Sequence, residues 1–167
     1  MSSPLPTAYS LLPDSSTDDL IQQGQWIART NMIEGTGVDS ALVMRHPITG
    51  DAHVRIRLSL ESIKGTIASL YLDSRSLFCF DGRGSVLYVK GPVFGTSRIA
   101  RVGKSQHYLR PNVPFVLELL RAEGVLSITI DGREVYRGPD DRLGLGALSL
   151  RPHRNVMRVY EWSVTEP

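Results

Sequence analysis

Cysteine is nearly absent from the 167-residue chain: Cys79 stands alone, which excludes an internal disulfide framework and any cysteine-based zinc cage. Aromatic residues are scarce at 7%. No apolar run approaches the roughly 20 residues that a membrane span requires. An excess of charge is missing too, because 19 basic and 17 acidic residues leave a formal +2, no electrostatic footprint for nucleic acid. There is no fixed-period repeat and no dominant low-complexity tract. With 41% hydrophobic residues, the chain is neither collagen-like nor disordered. Met1-Ser2-Ser3-Pro4 lacks the basic and apolar regions of a secretory leader. As given the chain reads as cytoplasmic, and as secreted or periplasmic if it is a piece of a larger protein.

What is present is a period of two. His53 to Glu61 places Val54, Ile56, Leu58 and Leu60 on one face and His53, Arg55, Arg57, Ser59 and Glu61 on the other. Successive strand side chains point to opposite faces, so this alternation predicts a half-buried strand. Similar runs follow at 66–72, 77–80, 86–90, 115–121, 125–130, 133–136, 147–151 and 156–164. Turns at Asp81-Gly82-Arg83-Gly84, Ala122-Glu123-Gly124 and Asp131-Gly132 separate several of them. Ten to twelve short strands argue for an all-β antiparallel sandwich or barrel. Residues 91–113 are the least regular stretch and read as a loop excursion. Ahead of the strands, Ser16-Thr17-Asp18-Asp19, then Leu20, Ile21 and Gly24, predicts one short helical turn. The expected organisation is an N-terminal extension over 1–23 and one domain over 24–167.

From Phe115 onward the order "PFVLELLRAEGVLSITIDGREVYRG", then "LGALSLRPHRNVMRVYEWSV", resembles the closing half of concanavalin A-like, laminin G-like jelly rolls. The middle, "SLFCFDGRGSVLYVKGPVFG", is similar to lectin-like modules beside bacterial sialidase domains and to the three-keto-disaccharide hydrolase domain. The resemblance covers about 24–165 and implies two stacked antiparallel sheets with sugar bound on a concave face or its rim loops. These motifs are turns and core alternation, so they speak for fold more than for function.

Catalytic motifs are sparse. Sialidase chemistry in that family needs an arginine triad, a tyrosine nucleophile and repeated Ser-x-Asp-x-Gly boxes on a propeller, and the boxes are missing. The Glu-x-Asp-x-x-Glu signature of jelly-roll glucanases is missing as well, and a glycosidase needs two carboxylates flanking the scissile bond. Asp18-Asp19 and Asp140-Asp141 read as cap and turn, Glu61 and Glu118 as a solvated strand face, and Cys79, between Phe78 and Phe80, as a small buried hydrophobe. No cofactor or metal motif occurs. Calcium stays open only because related jelly rolls use loop aspartates and carbonyls.

Sugar recognition calls for an aromatic platform flanked by polar donors. Strand parity nominates His53, Arg55 and Arg57; then Tyr71 and Arg75 with Tyr88 and Lys90; then Arg98, Arg101, His107 and Tyr108 in the irregular stretch. Their basic character points to an anionic glycan. Trp26 and Trp162 read as core or sheet-edge packing. The reading is a non-catalytic, lectin-like carbohydrate-binding module, with a sugar-acting hydrolase and a structural homo-oligomer as alternatives. A glycan is the expected partner, with nucleic acid excluded, no membrane span and oligomerisation left open.

Overall fold

A computed structural model describes residues 7–12 and 19–167, which form thirteen strands. In chain order they are β1 (Thr7–Leu12), β2 (Leu20–Ala28), β3 (Ile33–Met44), β4 (Ala52–Leu60), β5 (Ser69–Tyr71), β6 (Leu77–Gly82) and β7 (Val86–Gly91). There follow β8 (Thr96–Lys104), β9 (Phe115–Ala122), β10 (Val125–Ile130), β11 (Arg133–Pro139), β12 (Ser149–Arg151) and β13 (His153–Glu166). Two 3-10 turns, Pro92–Phe94 and Ser105–His107, flank β8.

Every strand pairing is antiparallel. One layer runs β11-β10-β9-β4-β13 and the other β12-β5-β6-β7-β8. The long β3 joins them, because Ile33–Gly37 pair with β13 and Leu42–Val43 pair with β12. This is a jelly-roll sandwich. Its core lies where the inward residues meet: Val54, Ile56, Leu58, Leu117 and Leu119 from the first sheet, Leu70, Phe78, Phe80 and Leu87 from the second, each at 0% exposure. The Phe80 ring bridges the layers, edge-on to Phe78 at 5.6 Å and to Phe115 at 5.6 Å.

The alternation at 53–61 becomes β4 as expected, and Trp162 is core while Trp26 packs against the core from β2. Three expectations change. The helical turn is not found at Leu20–Gly24, where the chain is strand; its Ser16–Asp18 part lies outside the described residues. Gly24 is instead a bulge glycine at φ +83, opposite Ser40, whose Oγ would lie 2.3 Å from an added Cβ. β2 runs through position 23/24 without a break, and β1 pairs with β13. The stretch 91–113 holds the nine-residue β8, which among the described strands pairs only with β7. The turn foreseen at Asp81–Gly84 sits two residues later, at Arg83–Ser85, since Asp81 is a buried β6 residue.

Candidate functional site

The two outer faces of the sandwich differ in how their polar groups are used. On the first sheet, charged side chains pair with one another. His53 Nε2 lies 2.6 Å from Glu118 Oε2, and Arg55 Nη1 donates to Glu161 at 3.0 Å. Arg57 sits over the Tyr160 ring, 5.1 Å from its centroid, and Ser59 meets the Tyr160 hydroxyl at 3.0 Å. Arg158 donates to Glu34 at 2.9 Å; that bond, with help from Arg29, holds the Glu34 carboxyl below the ordinary carboxylate range. This face is a self-satisfied network.

The outer face of the second sheet is built by register. Residues directly opposite in neighbouring antiparallel strands share a face. One row therefore reads Arg151, Ser69, Cys79, Tyr88, Arg101, and the next Val43, Ser149, Tyr71, Leu77, Lys90. The first row crosses four strand spacings, about 19 Å. Ser69, Cys79 and Ser149 are small and buried, forming a floor beneath larger neighbours. The Tyr88 ring packs against Gly82, where an added Cβ would collide with its Cδ1–Cε1 edge. Burial, then the neighbouring Cys79, raises the Tyr88 hydroxyl pKa, and burial pushes the Cys79 thiol up to about 11. Neither ionises near neutral pH, so Cys79 behaves as the buried hydrophobe its neighbours implied.

Arg151 stacks its guanidinium on Tyr71, 3.9 Å from the ring centroid. Its Nε is buried without a hydrogen-bond partner among the described residues, and so is Nε2 of His153, two positions on. Burial lowers the His153 pKa, reinforced by Arg151 and Arg154 and opposed by Asp39, so the ring is neutral at pH 7.

No family model matches the chain, and no curated protein matches it. Solved structures do. The exoplasmic/lumenal domain of VIP36, in a form bound to Ca2+ and Man3GlcNAc, superposes with a TM-score of 0.67 at 8% identity, over 92% of this chain and 86% of that one. A sialidase matches at 0.59 and 12% identity, over 88% of this chain and 16% of that one. The carbohydrate-binding module CBM66 of Bacillus subtilis matches at 0.52 and 14% identity, over 89% and 92%. The fold is the concanavalin A-like jelly roll.

In this jelly roll the residues nominated from sequence divide. Tyr71 and Tyr88 come together on the second sheet, with Lys90 and Arg101 beside them. His53, Arg55 and Arg57 lie on the outer face of the other sheet. Arg75 sits in the exposed β5–β6 turn, where Asp73 accepts from its amide at 2.6 Å. Arg98 is exposed on β8. Tyr108 packs against the core at the edge, under the Arg133 guanidinium at 4.3 Å, and His107 gives its carbonyl to Arg133. Sequence reasoning missed Arg151 and His153. The alternation of buried Leu148 and Leu150 with Ser149 and Arg151 was the available clue. Elsewhere, a notch of about 250 Å³ lies between Pro92–Gly95 and Tyr136, Pro139 and Asp141. Its two rings pack edge to face at 4.9 Å, and its one charged group is a carboxylate.

Proposed function

We propose that the chain is a non-catalytic carbohydrate-binding module, free-standing or part of a larger glycosidase. Its sugar would lie across the outer face of the second sheet. The observation that carries this reading is the Tyr71–Arg151 stack, an aromatic ring beside a guanidinium that forms no ion pair with a described residue. On the first sheet His53 already meets Glu118 and Arg55 already meets Glu161, and binding there would first break those contacts. Two matched folds add support: one was solved with Man3GlcNAc and one is named a carbohydrate-binding module.

A glycan array on the purified chain tests the reading, followed by titration of the best glycan. Tyr71→Ala should weaken binding about 10-fold or more, the scale of one lost aromatic or cation–π contact. An Arg55→Ala/Arg57→Ala variant should bind as the parent does. Loss of binding in the Arg55/Arg57 variant alone would move the site to the first sheet. Reducing-sugar release that survives rigorous purification would replace the reading with a hydrolase.

A further inference from the structure

The formal +2 of the whole chain conceals a division. Residues 62–114, which contain β5 to β8, hold eight Lys or Arg and two acids, a surplus of +6; the remainder carries −4. Both acids of this segment are engaged by donors of the segment itself. Asp73 accepts from the Arg75 and Ser76 amides and the Ser76 hydroxyl. Asp81 is buried and accepts from Thr66 and Ala68. None of the segment's eight cations forms an ion pair with a described residue, whereas the arginines of the first sheet do so repeatedly.

Register brings part of this surplus onto one surface. Lys90, Arg101 and Lys104 share the outer face with Tyr71 and Tyr88, and Arg151 joins them from β12. Arg151 is held by its stack on Tyr71, and its buried Nε lacks a partner among the described residues. A guanidinium stacked on a ring keeps its N–H groups in the ring-parallel plane, a fork that matches a planar carboxylate two bonds at a time. Cations lie at both ends of the roughly 19 Å row, so charge is offered along an oligosaccharide rather than at one point.

We propose that the outer face of the second sheet recognises acidic sugars, with Arg151 seating a sugar carboxylate and Lys90 and Arg101 reading further negative charge along the chain. This deepens the sugar-binding reading and rests on it.

The test titrates the full chain by calorimetry with two acid and neutral pairs: oligogalacturonate against its methyl ester, and sialyllactose against lactose. A single-stranded DNA oligonucleotide of matched charge serves as a third arm. At least one acid should bind 10-fold or more tighter than its neutral partner, and that preference should fall as salt rises. Arg151→Gln should abolish the preference. Lys90→Gln/Arg101→Gln, at exposed positions that leave packing intact, should reduce it several-fold with an unchanged melting temperature. Equal binding of acid and neutral partners overturns the acidic-sugar inference and leaves the sugar-binding module standing. DNA binding as tight as the better acid overturns it in favour of a general polyanion surface. Absence of binding to every sugar here and on the array overturns both.

Discussion

Replacing Asp81 by alanine removes the acceptor for three donors at once. The side chain is fully buried, and its two oxygens receive the Thr66 amide at 3.0 Å, the Thr66 hydroxyl at 2.7 Å and the Ala68 amide at 3.1 Å. The Thr66 hydroxyl in turn accepts from Asn155 Nδ2 at 2.8 Å, and Asn155 also bonds the Ser62 amide and carbonyl. Asp81 thus anchors the segment between β4 and β5 to the start of β13. Each orphaned buried donor costs about 1–3 kcal/mol. Against that, alanine relieves the penalty of holding a carboxylate away from water. Burial is the larger influence on Asp81 and pushes its pKa up, while the hydrogen bonds from Thr66 and Ala68 pull it down. Offsetting the two leaves a net loss of about 2–4 kcal/mol for Asp81→Ala.

The raised pKa fixes the sign of a pH dependence. Below the unfolded-state value of about 3.9 both states hold the proton, and the contribution to stability is complete. As pH rises, the unfolded carboxyl ionises first while the folded one stays protonated. The unfolded state then binds fewer protons, and stability falls by at most about 1.4 kcal/mol per pH unit until pH passes the folded-state pKa. The assay is urea unfolding of the parent and Asp81→Asn in steps from pH 4 to 7. Glu34 and Asp51, whose pKa values are lowered, slope the other way in both proteins and cancel in the difference. The parent should lose stability relative to Asp81→Asn as pH rises. A gap that moves in the parent's favour with pH would refute the reasoning, because the hydrogen bonds would then outweigh burial.

Phe80→Ala removes the ring that bridges the two sheets, and urea unfolding should show a loss of about 3–5 kcal/mol with little change in m-value. A loss below about 1.5 kcal/mol would mean that the sheets are not held together at that contact. Cys79, buried with its thiol pKa near 11, should resist iodoacetamide in the native protein and react once urea unfolds it. Mass spectrometry reads the adduct, and rapid native labelling would contradict the burial of the floor.

The strands legible in sequence are those with one face on the core and one on solvent. β4 is the clearest, because Val54, Ile56 and Leu58 are sealed while Arg55 is exposed. β8 escapes for the opposite reason. As an edge strand with its pairing to β7 broken by bulges, it leaves Ser97, Arg98 and Ile99 exposed in succession, and only the short run Ile99–Val102 alternates. β2 imitates a helix start because acids precede Leu20 and Ile21. In the strand these two point to opposite faces, and their adjacency carries no periodic information. The site follows the same logic. Parity puts Tyr71 and Tyr88 on the outer face, since each alternates with buried leucine or valine. Arg151 stands 80 residues from Tyr71, and only the pairing of β12 with β5 brings the two together.

The placement of β13 bears on how the molecule comes into being. Residues 153–166 are synthesised after the other twelve described strands, yet they lie between β4 on one side and β3 and β1 on the other. While β13 is still inside the ribosome tunnel, β3 and β4 carry the edges it will pair with unoccupied. Such edges invite pairing with a neighbouring chain. Closure therefore waits until β13 has left the tunnel, so the long-range pairing that seals an all-β sandwich comes late. The last of the described strands holds the middle.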